Sequence, residues 1–175
     1  MGFFLIFYLI NPDTFIPVFA AIIVGTEEED ELKGTSKKDS LFGSEERVKL
    51  FGRSASDYIN RGEGGDIIEG NSGKDELYGE SGSDLIDGHN GIDYIDGYTG
   101  NDLIQENSGK DNILGYIGDD ILQGKKVDDI MLGERDNDRI EGNSVDNWIN
   151  RGLGRDLLLR GSGGDILGQN LGKMC

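Results

Sequence analysis

Nine residues is the period of this chain from Gly25 to Gly168, and sixteen consecutive units keep it without an insertion or deletion. The eighth position of the unit is Leu, Ile or Met in all sixteen. The sixth is Asp in fourteen, with Val48 and Asn147 as the exceptions, and the first is Gly in twelve. A fixed period means stacked supersecondary units, each touching its neighbours. Nine residues is too short for a strand plus a helix, but it accommodates a six-residue turn followed by a three-residue strand. In such a strand the position-eight side chain points one way and its neighbours the other. The aliphatic column therefore fills a narrow core. Glycine at positions one and four is read as supplying positive φ in the turn. Position seven faces out and is mixed, with Glu76, Asn112 and Arg139 beside Leu85, Leu103, Ile121 and Trp148.

Composition sharpens this reading. Gly is 29 of 175 residues and Pro only 2, and a flexible Gly-rich linker would not carry an aliphatic residue at every ninth position. Net charge is −17, which opposes a nucleic-acid partner. Stacking brings the repeat carboxylates within about 5 Å of one another, the spacing of adjacent strands. Such a ladder repels unless cations neutralise it. The single Cys (Cys175) and single His (His89) exclude an internal disulfide and a Cys/His zinc site. His89 sits at a variable turn position and reads as a surface residue. A Ser–His–Asp arrangement would have to use it, and no dinucleotide-binding loop or EF-hand is complete, so the chain reads as non-enzymatic.

Three segments follow: 1–24, the repeats at 25–168, and a tail at 169–175. Phe3–Ile10 and Phe15–Val24 are apolar runs separated by Asn11-Pro12-Asp13-Thr14, a turn signal. A signal peptide, a membrane anchor and an apolar cap on the roll's end are the three readings of residues 1–24. The first lacks a basic n-region, and the second places Asn-Pro-Asp at a bilayer centre. Asn-Pro-Asp suits a turn between two apolar strands, which favours the cap. Membrane contact would run through residues 1–24 alone.

The units NSGKDELYG, ESGSDLIDG, HNGIDYIDG and YTGNDLIQE resemble the repeats-in-toxin (RTX) nonapeptide GGxGxDxUx of hemolysin-type calcium-binding proteins. The resemblance covers 144 of the 175 residues. It implies an all-β fold, a right-handed parallel β-roll in which two units make one turn. Sixteen units would give eight turns, about 38 Å long at roughly 4.8 Å per strand. One core column would be Leu32, Leu50, Ile68, Ile86, Ile104, Leu122, Ile140 and Leu158. The other would be Leu41, Ile59, Leu77, Ile95, Ile113, Met131, Ile149 and Leu167.

The resemblance also implies a calcium ion between each turn and the turn eighteen residues on, bound by position-six carboxylates and turn carbonyls. An all-oxygen set suits a hard cation. Five pairs have Gly at position four in both turns: Asp66–Asp84, Asp75–Asp93, Asp84–Asp102, Asp93–Asp111 and Asp102–Asp120. These are the strong candidate sites. Asp39–Asp57, Asp57–Asp75, Asp111–Asp129, Asp120–Asp138 and Asp138–Asp156 are the weaker ones. Val48 and Asn147 remove four further pairings. Lys37, Lys125, Lys126, Arg135 and Arg155 lie in turns and are candidate substitutes for cations.

The expected function is a calcium-binding module that folds on Ca2+ in an extracellular or cell-surface setting, where calcium is in the affinity range of such modules, roughly 0.1–1 mM. A non-catalytic surface spacer, or the repeat portion of a larger secreted toxin or hydrolase, are the alternatives. An ice-binding face would want regular outward Thr, and the chain has four.

Overall fold

The computed structural model describes residues 20–26, 29–143 and 145–168. They form a parallel β-roll of two facing sheets. The nine-stranded sheet holds β1 (Ile22–Val24), β3 (Ser40–Phe42), β5 (Tyr58–Asn60), β7 (Glu76–Tyr78), β9 (Tyr94–Asp96), β11 (Asn112–Ile117), β13 (Ile130–Arg135), β15 (Trp148–Asn150) and β17 (Ile166–Leu167). The eight-stranded sheet holds β2 (Asp30–Lys33), β4 (Val48–Ser54), β6 (Ile67–Gly73), β8 (Leu85–Gly91), β10 (Leu103–Gln105), β12 (Ile121–Gln123), β14 (Arg139–Glu141) and β16 (Leu157–Leu159). No helix long and apolar enough to cross a membrane occurs among the described residues.

Parallel neighbours ordinarily need a crossover of a dozen or more residues. Here consecutive units alternate between sheets, so same-sheet partners lie eighteen residues apart, as in Ile68↔Ile86 and Ile95↔Ile113. The eighth-position side chains meet between the sheets as expected. Ile59, Leu77, Ile95 and Ile113 are fully buried in one column, and Leu50, Ile68, Ile86 and Ile104 in the other. Burying each such side chain contributes about 1.5–3 kcal/mol. The columns loosen at the C-terminal end, where Leu158 is only partly buried and Leu167 is 40% exposed. Trp148 lies on the outer face, as its position-seven place requires.

The roll begins one strand earlier than the Gly25 boundary. Ile22–Val24 pairs with β3, and Ile23 is buried on the core column above Leu41. Ile23 is thus in phase with the position-eight column, although the sequence before it has neither the Gly nor the Asp at the repeat spacing. The rest of the 1–24 segment and the 169–175 tail lie outside the described residues.

The turns stack as closely as the strands. Gly82 N–H donates to Thr99 O and Thr99 N–H to Glu80 O, which extends strand-like pairing into the turns. This stacking explains the two roles of glycine. At position four, Gly82 has φ 133°, and a Cβ there would lie 1.7 Å from Gly64 O. At position one the need is space. A Cβ on Gly79 would lie 2.6 Å from the carboxylate of Asp84 in its own unit. The left-handed conformation expected at position one is instead found at position two. There it falls on Asn71, Glu80, His89, Tyr98 and Tyr116. These non-glycine residues each cost on the order of 1–3 kcal/mol of strain, which the stacked neighbours must hold in place. Two of them, Tyr98 and Tyr116, stack ring on ring at 5.4 Å.

Candidate metal centre: the stacked aspartate turns

Position six closes each turn and opens the strand, so its side chain turns inward beneath the glycine of position one. The aspartates form two rows, one along each edge of the roll. In one, the amide of Asp57 donates to Asp75 Oδ1 at 2.8 Å, that of Asp75 to Asp93 at 2.8 Å, that of Asp93 to Asp111 at 2.7 Å and that of Asp111 to Asp129 at 3.0 Å. In the other, Asp66 donates to Asp84, Asp84 to Asp102, Asp102 to Asp120 and Asp120 to Asp138 at 2.8–3.0 Å. The ladder runs alike through the pairs with and without glycine at position four. It continues to Asp156, which is only half-buried and accepts from Asp138 at 3.2 Å. The other ten candidate ligands (Asp57, Asp66, Asp75, Asp84, Asp93, Asp102, Asp111, Asp120, Asp129 and Asp138) are all buried.

Each of these ten uses one oxygen and leaves the other without a partner. The Oδ2 atoms of all ten are buried and accept no hydrogen bond. Magnitudes show why this is a demand rather than a detail. Removing an ionised carboxylate from water costs several kcal/mol even after relaxation. One hydrogen bond to a charged group returns about 1.5–3 kcal/mol. The deficit appears in the acidities. Burial, together with neighbouring carboxylates, pushes Asp75, Asp84, Asp93, Asp120 and Asp129 up to about 7 and Asp102 to about 8. Asp57 and Asp138 rise to about 6, and burial raises Asp66 and Asp111 as well. The row of orphaned, buried, acceptor-only oxygens fits a hard cation.

Two levels of the stack meet the same demand with the chain itself. Where Val48 replaces the aspartate, Arg61 occupies the gap. Its guanidinium is fully buried and donates to the carbonyls of Ser44, Glu46 and Glu63 and to Asp66 Oδ1. Carbonyls and a carboxylate from two stacked turns thus converge on a built-in cation. Where Asn147 replaces the aspartate, its Nδ2 donates to Gly142 O at 2.7 Å, Val145 O at 3.2 Å and Asp165 Oδ1 at 3.3 Å. A donor stands in that turn where the other turns place an orphaned acceptor.

The cationic side chains expected to substitute for metal do not do so. Lys37, Lys125, Lys126, Arg135 and Arg155 make no ion pair with a repeat aspartate among the described residues. Lys125 instead reaches the amide oxygens of Gln105 and Asn107 at 3.4 and 3.2 Å. They fail because they sit at outward turn positions, whereas Arg61 sits at position one, beneath the turn. Its signal in the sequence is the Arg-Gly that opens its unit eighteen residues after a unit without Asp. Arg151 and Arg160 open units in the same way but are exposed.

The RTX calcium-binding nonapeptide repeat model matches residues 33–68, 61–95, 69–104, 87–122, 96–131, 107–140 and 127–158. The chain belongs to this family. Its RTX matches run through every buried aspartate from Asp39 to Asp138 and take in both substituted levels, Val48 and Asn147. The RTX repeats imply a calcium-binding β-roll, in agreement with the two sheets and the orphaned carboxylate oxygens. No curated protein matches the chain.

Proposed function

We propose that this chain is a non-catalytic calcium-dependent folding module that works outside the cell. The observation that carries the reading is the row of buried Oδ2 atoms without partners from Asp57 to Asp138. Asp66, Asp75, Asp84, Asp93, Asp102, Asp111 and Asp120 would supply the ligands of the five central sites, with Asp57, Asp129, Asp138 and Asp156 extending them. Calcium supplies the positive charge that makes burial of these carboxylates favourable, and it accepts six to eight oxygens in flexible geometry. Binding restricted to the folded state is folding free energy. The millimolar calcium of an extracellular setting would then act as the folding signal, with the chain unfolded before export. The sole imidazole, His89, lies on a turn against Asp87 and Glu69, which gives no support to a catalytic role.

The test is a calcium titration of the full chain followed by far-UV circular dichroism. β-Structure is expected to be lost in chelator at neutral pH and restored at millimolar calcium. Magnesium is expected to substitute poorly, because it prefers a rigid octahedron with retained waters. Identical spectra with and without calcium would overturn the reading.

A further inference from the structure

Glu106 breaks the pattern at a place where the repeat needs glycine. It opens the unit ENSGKDNIL at position one, where twelve of sixteen units have Gly and three have Arg. Its side chain is fully buried and both carboxylate oxygens lack a partner. It fits because the position-one residue eighteen earlier is Gly88. A Cβ on Gly88 would lie 1.8 Å from Glu106 Oε1. The Glu106 carboxylate therefore fills the space that the glycine column leaves open.

That space adjoins two repeat aspartates. Asp93, Glu106 and Asp111, all buried, each place a carboxylate oxygen within 4.8 Å of the others. Four oxygens there have no partner: Asp93 Oδ2, Asp111 Oδ2 and both of Glu106. The nearby charged groups are also negative. Burial pushes the Glu106 carboxyl up to about 10, and the charges of Asp111, Asp93, Asp87 and Asp129 add to it. A single shared proton bridges at most two oxygens. Calcium binds oxygen at about 2.3–2.6 Å, so ligands on opposite sides of one ion are roughly 4.8 Å apart. Oxygens gathered within that distance can all touch the same ion.

We propose that Asp93, Glu106 and Asp111 form a tricarboxylate site for a divalent hard cation of the calcium class, set apart among the described residues by its third acidic side chain. The proposal rests on the calcium reading given above. Affinity in oxygen-ligand sites is tuned by the number of charged ligands. This level is therefore the first to fill and the last to empty.

Isothermal titration of the full chain with calcium tests it, using Glu106→Gln and Glu106→Gly. The glycine variant restores the residue typical of the position and so keeps the fold. For the wild type, one ion is expected to bind about tenfold or more tightly than the rest. In both variants that tight step should be lost while the weaker steps persist. A tight step that survives both substitutions, or a wild type with one uniform class of sites, would overturn the tricarboxylate site and leave the calcium module standing. A wild type that binds no calcium would overturn both.

Discussion

The turns from Asp75 to Asp138 and the two turns at Arg61 and Asn147 share one backbone and one hydrogen-bond ladder, but they are completed differently. In the first region each aspartate leaves an oxygen buried and unpartnered. In the second, a guanidinium or an amide of the chain donates to the same kind of carbonyls and carboxylates. The demand for positive charge or a donor is thus a property of the stacked turn and not of any one residue. At the Arg61 level the positive charge is built into the chain, although Asp66 Oδ2 and Arg61 Nε stay without a hydrogen-bond partner. A level that answers the demand with aspartate hands control of the fold to the solution.

The largest expected effect is on the metal-free fold. Burial holds Asp75, Asp84, Asp93 and Asp102 at about 7 to 8, above the roughly 3.9 of an unfolded aspartate. The folded state then binds more protons than the unfolded one, so stability is fully present below about pH 4 and falls as the pH rises through about 8. In chelator, the β-signal should be stronger at pH 5 than at pH 8, and calcium should restore it at pH 8. A metal-free fold that strengthens from pH 5 to pH 8 would show that the orphaned oxygens carry no penalty.

Arg61→Ala comes next. It leaves Asp66 and three carbonyls buried without their donor, a loss of roughly 3–5 kcal/mol for a broken buried pair. Denaturant melts at saturating calcium should show the full loss, because Val48 offers no carboxylate with which to recruit an ion. Recovery of that loss by calcium would erase the distinction between the two regions.

A smaller effect is expected at single central aspartates. Asp102→Ala strips the Asp84 amide of its partner, at a cost of about 1–3 kcal/mol, and removes a candidate ligand. Its calcium midpoint should rise clearly, while that of Asp30→Ala, opposite Val48, should move little. Equal shifts would show that the pairing across eighteen residues is wrong. The smallest net change is expected from Asn147→Asp. It should destabilise the chain in chelator and, by restoring the pairings with Asp129 and Asp165, add up to two bound calcium ions at saturation, counted by equilibrium dialysis. An unchanged count would mean that the turn at Asn147 is not equivalent to the central turns.

Much of this was legible in the sequence because period and chemistry coincide. An aliphatic residue every ninth position fixes the two core columns, and an aspartate two residues before it fixes the inward row. What escaped has physical reasons. Ile23 joins the core on shape alone, in a unit with no glycine or aspartate to mark it. The left-handed turn residues include Arg, Lys, Glu, His and Tyr as well as Asn and Asp, and their strain is revealed only by the stacked neighbours. Arg61 and Glu106 occupy position one, where a side chain larger than hydrogen reaches the turn interior. Turn position points to Lys37, Lys125, Lys126, Arg135 and Arg155 as the neutralising groups, whereas burial selects Arg61, beneath a turn.

The most direct test of the difference between the two regions is a crystal structure grown in calcium, with ions located by their anomalous scattering. Peaks are expected between successive aspartate turns from Asp75 to Asp138, and none between the Ser44 and Asp66 turns, where the guanidinium of Arg61 already sits. A calcium peak beside Arg61, or empty central turns in a folded roll, would contradict it.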